Sequence, residues 1–128
     1  MKSYTDLEQS KKLAEILPLE SADMRFCFSH TLGGRITGHY PMIGREPSMG
    51  TIPCWSLAAL LDLLPNNEHI ETTISRGSWK IDTVEYLPNT WWCEYEDTEN
   101  QTEFNISADN PVDACVEMII KLHELNLL

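Results

Sequence analysis

Basic residues are scarce in this sequence. Nine Lys and Arg stand against 20 Asp and Glu in 128 residues, a formal net charge of −11 at pH 7. Phosphate neutralisation by Lys and Arg dominates affinity for DNA and RNA, so direct nucleic-acid binding is not expected. The deficit is uneven, with 13 acids and 3 bases in residues 65–128. That imbalance leaves room for a protein partner, a basic one included.

No C-x-x-C pair occurs. The four cysteines, Cys27, Cys54, Cys93 and Cys115, are scattered, which excludes a zinc ribbon and a thioredoxin-type motif. They read as reduced, mostly buried thiols, although four could also close two disulfides. Long apolar runs are missing as well. The longest, Leu57 to Leu61, is cut by Asp62, far short of the ~20 residues a bilayer span requires. Met1 leads into Lys2-Ser3-Tyr4 rather than an apolar signal segment, so a cytoplasmic protein with no membrane partner is expected. With only 6 Gly and 7 Pro, fibrous and low-complexity classes are excluded. The 42% of hydrophobic residues argues against disorder and for one globular domain over residues 1–128.

What remains is a legible series of elements. Thr5 followed by Glu8 forms a capping box, and Leu7, Leu13, Ala14, Ile16 and Leu17 recur at helical spacing up to Pro18, predicting a helix over 6–17. Met24 to His30 and Ile36 to Tyr40 predict a hairpin turning at Gly33-Gly34. Residues 41–53, with three prolines and two glycines, read as an irregular connection. Cys54 to Leu64 is apolar nearly all round and predicts a short buried helix. Three strand-like runs follow at about 78–86, 90–97 and 102–108, linked by Leu87-Pro88-Asn89 and by 98–101. Asn110 as cap, Pro111 at the first helical position and Asp113 in the first turn open a final helix over 112–125. The fold class expected is α+β: an antiparallel sheet of four to five strands, built as two hairpin units and covered by three helices, in the order α-β-β-α-(β)-β-β-β-α.

Hairpin register assigns faces. A four-residue loop at 98–101 pairs Tyr95 with Phe104, Cys93 with Ile106 and Trp91 with Ala108 on a core face. Trp92, Glu94 and Glu96 then lie on the other face beside Glu103, Asn105 and Ser107. Strand 78–86 is ambiguous, because Trp79 and Ile81 share one parity and Val84 and Tyr86 the other, which a bulge would reconcile. The functional reading is an aromatic anchor, Trp92 with Trp79 and Ile81, ringed by Glu94 and Glu96 and suited to a basic or amphipathic protein. The plain alternative is that a helix or a second copy covers that face and Trp92 simply packs.

Candidate chemistry is thin. His30 and His39, opposite Thr37 and Phe28, would be diagonal neighbours about 7 to 8 Å apart. A metal needs three or four ligands, and Cys27 points the other way, so no metal and no cofactor are expected. Cys54 near a helix start, with Ser56, could be an activated nucleophile, but no base or oxyanion site accompanies it. Glu94 and Glu96 imitate a carboxylate pair yet sit among many other acids. No Gly-rich phosphate loop, H-E-x-x-H or G-x-S-x-G is present, so no catalytic residue is assigned.

Three segments carry a resemblance: Asp6 to Glu15 running on to Ser21-Ala22-Asp23-Met24, Pro53 to Leu61, and Asn110 to Met118. They resemble uncharacterised small proteins encoded in phages and mobile elements of gut anaerobes. That resemblance implies no activity and no site residue. The layout is similar, as an analogy, to small phage proteins with helices on both faces of a sheet. The leading expectation is a non-enzymatic phage or mobile-element accessory protein acting by protein contact. The alternatives are an acidic nucleic-acid mimic that occupies a host nucleic-acid-binding protein, and a small enzyme of unrecognised type.

Overall fold

A computed structural model describes residues 1–30, 33, 36–44, 51–80 and 85–128. Helix α1 spans Leu7–Ile16, and a 3-10 turn follows at Leu19–Ser21. Strands β1 (Met24–His30), β2 (Ile36–Ile43) and β3 (Ile52–Cys54) precede helix α2 (Leu57–Leu63). Strands β4 (Ile70–Lys80), β5 (Glu85–Asp97) and β6 (Thr102–Ala108) then lead into helix α3 (Pro111–Glu124). The α+β class and three helices agree with expectation. The single sheet of four to five strands does not: two three-stranded antiparallel sheets form, ordered β2-β1-β3 and β4-β5-β6.

Local chemistry explains each shift of boundary. Thr5 does not cap α1, because its buried hydroxyl bonds Ser10 Oγ at 2.7 Å and accepts from the Trp55 amide at 3.1 Å. The cap moves one residue on, to Asp6, whose Oδ1 accepts from Gln9 N at 2.8 Å while Gln9 Oε1 accepts from Asp6 N at 3.1 Å. Residues 41–53 are not all irregular. Pro41 pairs with Phe26 and Pro53 with Arg25, in β2 and β3. Both are edge strands, where the N–H that proline lacks need not be part of the ladder. Pairing of Cys54 with Met24 removes Cys54 from the second helix, which starts only after Ser56 accepts from Ala59 N at 3.2 Å.

The run predicted as one strand over 78–86 is instead the end of β4 and the start of β5, with residues 81–84, and so Ile81 and Val84, outside the described residues. Ile70 to Gly77, outside the three predicted runs, form the first part of β4. Leu87-Pro88-Asn89 is not a link. Pairing jumps from Arg76↔Trp91 to Ser78↔Leu87, so Pro88, Asn89 and Thr90 of central β5 face the single residue Gly77 in a bulge. Gly77 adopts φ 82°, a left-handed conformation that glycine takes without strain. The bulge also takes Pro88 out of the ladder, as a proline in a central strand requires.

One helix layer covers one face of the second sheet. Helix α3 lies on β5 and β6, and α1 and α2 pack against α3. Val112, Cys115, Val116, Ile119 and Leu122 of α3 join Cys93 and Tyr95 of β5, with Leu13, Trp55 and Leu60, in a single buried cluster. Trp55, fully buried, donates its indole N–H to Ser21 Oγ at 2.9 Å, so its large apolar body is buried without losing its polar bond. The first sheet joins through β3 against α1 and through the Tyr4↔Ser56 bridge. Among the described residues no helix covers the other face of this sheet, unlike the two-sided cover the analogy suggested. The described residues contain no helix long and apolar enough to cross a membrane.

Candidate functional site

The uncovered face of β4-β5-β6 is set by strict alternation. Ile70, Thr72 and Ile74 face the helices, so Glu71, Thr73 and Ser75 project the other way, and all three are exposed. The register β5↔β6 is the expected one: Tyr95↔Phe104, Cys93↔Ile106 and Trp91↔Ala108. The turn behind it is held by Asp97, which accepts from the amides of Glu99 at 3.0 Å and Asn100 at 3.1 Å. Three rows therefore cross the face. Glu71, Glu96 and Glu103 form the first, Thr73, Glu94 and Asn105 the second, and Ser75, Trp92 and Ser107 the third.

Electrostatics distinguishes the first row. Neighbouring strands lie about 4.8 Å apart, so three carboxylates stand side by side within about 10 Å at the backbone. Like charges directly opposite one another destabilise a sheet. Glu71, Glu94, Glu96 and Glu103 are all exposed, and the described residues of these rows include no Lys or Arg. The four glutamates, with Thr73, edge a shallow concavity of about 270 Å³. Trp92 lies beside them, as its parity required. It is half-buried, and its Nε1 is shut off from solvent without a hydrogen-bond partner. Trp79 pairs with Tyr86 in the ladder; its side chain, like Ile81, lies outside the described residues. The structure thus brings Trp92, Glu94 and Glu96 onto one face beside Glu103, as expected, and adds Glu71. Glu71 was missed, although the alternation Ile70-Glu71-Thr72-Thr73-Ile74-Ser75 was the signal that could have found it.

The other candidates have structural roles. Cys54 is fully buried in β3, and burial pushes its thiol up, opposite to the shift a nucleophile needs. Ser56 caps α2 and donates its hydroxyl to Asp23, whose other oxygen accepts from the Ser56 amide at 2.9 Å. His39 faces Phe28 as expected and packs edge-on against Phe26 at 5.4 Å. His30 faces Ile36 rather than Thr37, because the register slips between Ser29 and His30. Among the described residues no group of three His, Cys, Asp or Glu side chains is placed to hold a metal.

Comparison of the chain with family models, with curated proteins and with solved structures finds no match.

Proposed function

We propose that this chain is a non-enzymatic accessory protein of a phage or mobile element that binds a basic segment of another protein through the uncovered face of β4-β5-β6. The observation that carries the reading is the in-register row Glu71-Glu96-Glu103. Three aligned carboxylates cost the free chain stability, and a cationic partner segment relieves that repulsion as it binds. Trp92, at the end of the same face, adds a flat apolar contact beside the charges. The phage or mobile-element assignment is supported by the resemblance of the helix and cap segments. Absence of catalysis is supported by Cys54 and Ser56 being committed to burial and capping.

A lysine-rich peptide is the probe, titrated against the wild type and two triple variants of equal charge change. The face variant carries Glu71→Gln, Glu96→Gln and Glu103→Gln. The control carries Glu15→Gln, Glu20→Gln and Glu117→Gln, at exposed positions of α1, the 3-10 turn and α3. Three exposed ion pairs lost at roughly 0.5 kcal/mol each weaken binding about tenfold in the face variant. The control should stay within about twofold. Equal weakening of both would mean that overall charge binds, as in a nucleic-acid mimic, and would overturn the reading.

A further inference from the structure

A second concavity opens at the end of the helix-covered side of β4-β5-β6, with a volume of about 630 Å³ and walls that include Lys2, Arg76, Asn89, Trp91 and Asp109. Small-molecule sites commonly enclose roughly 300 to 1,000 Å³. Trp91 was expected in the core. Its parity is indeed that of Cys93 and Tyr95, yet it is only half-buried and forms part of the wall here.

The bulge positions the charge beside it. Arg76 immediately precedes Gly77, and Pro88, excluded from the ladder, offers its carbonyl as acceptor to Arg76 Nε at 3.2 Å. The guanidinium carbon stands over the Trp91 ring, 5.8 Å from its centroid. Those two contacts orient the guanidinium of an exposed arginine and leave its terminal Nη groups without a bond among the described residues. A guanidinium fork so presented matches the two oxygens of a carboxylate. Lys2 does not compete for the ligand, since its ammonium already donates to Asp6 at 2.9 Å and to Gln9 and Asp113 at 2.8 Å each. Asp109 follows Ala108, the β6 partner of Trp91, so Arg76 on β4 and Asp109 just past β6 flank the Trp91 backbone, and both contribute to the walls. With the Lys2 charge paired to Asp6 and Asp113, Arg76 is left as the cationic side chain of the walls that can meet a ligand and Asp109 as their anion, which disfavours a multiply charged phosphate and admits a single negative charge.

We infer that this concavity binds an organic carboxylate with a flat apolar body, the carboxylate on the Arg76 fork and the body against the Trp91 indole. It lies on the other side of β5 from the acidic face and is independent of it.

Sodium benzoate at constant ionic strength is the probe, followed by the indole N–H resonances in ¹H–¹⁵N spectra. The Trp91 resonance is assigned by its loss in Trp91→Phe. A saturable shift of that resonance is expected, with a Kd on the order of millimolar. Arg76→Gln should weaken it at least tenfold, and Arg76→Lys should weaken it too, because a point charge lacks the fork. Unchanged resonances of the other indoles establish that these variants remain folded. Inorganic phosphate should give no saturable shift. No saturable response to benzoate, equal affinity in Arg76→Gln, or phosphate binding as tight as benzoate would each overturn the inference.

Discussion

Lys2 Nζ and Asp113 Oδ1, 111 positions apart in the chain, meet at 2.8 Å. Gln9 Nε2 donates to the same oxygen at 2.8 Å, and Asn110 Nδ2 donates to the other at 2.8 Å. The N-terminal segment and the first turns of α1 and α3 are joined at this one carboxylate, which also sits at the positive end of α3.

Stability should follow this cluster with pH. Burial alone would raise the Asp113 carboxyl, but the bonds from Lys2, Gln9 and Asn110 outweigh it and hold the group below the usual aspartate value of 3.8. Burial likewise opposes the charge on Lys2, and bonds to Asp113 and Asp6 outweigh it, raising Lys2 above 10.5. A depressed carboxyl contributes stability above its unfolded value and loses it as pH falls through its folded value. A raised ammonium contributes below 10.5 and loses it as pH rises beyond. Asp113→Asn is expected to lower unfolding free energy at pH 7 by about 1 kcal/mol. The same change should flatten the loss of stability below pH 3.8, and urea midpoints across pH measure both. A midpoint unchanged at pH 7 would contradict the role given to Asp113.

Thiol chemistry offers a second check. Cys54, Cys93 and Cys115 are buried, and only Cys27 is partly open. Burial pushes both Cys93 and Cys115 up to about 12, with Cys115 and Glu94 adding to the effect at Cys93. Thiolates are the reactive form, so at pH 8 a disulfide reagent should label one thiol promptly in the native chain and four in urea. Prompt labelling of Cys93 without denaturant would show that α3 does not cover β5 as described.

The acidic row predicts an unusual stabilisation. Glu96 is central, flanked by Glu71 on β4 and Glu103 on β6. Glu96→Lys turns two like-charged cross-strand pairs into opposite-charged ones and should stabilise the fold by about 1 kcal/mol at low salt. The gain should shrink as salt screens the exposed charges. Destabilisation at low salt, read from thermal or urea unfolding, would mean that the three carboxylates do not share a row.

The helices and the last hairpin were largely legible in the sequence because their determinants are local. Asn110 capping, Pro111 and the period of Val112 to Leu122 specify α3 without reference to anything distant, and the turn after Asp97 sets the β5↔β6 register. Reading failed where distant residues decided. Pro41 and Pro53 signal breaks in isolation but are harmless in strands at a sheet edge, and Pro88 ends no strand because Gly77 across from it accepts a bulge. Thr5 looks like a cap until Trp55 and Ser10 claim its hydroxyl.

The sequence by itself therefore determined the α+β class, three helices and the opposite facing of Trp91 and Trp92, since side-chain alternation and helical period act over a few residues. Tertiary structure alone decided that the strands divide into two sheets, that Glu71 comes into line with Glu96 and Glu103, and that Arg76 lies over Trp91. Those outcomes depend on which strand lies beside which, and that is settled only when the separate elements compete to bury their apolar faces in a common core.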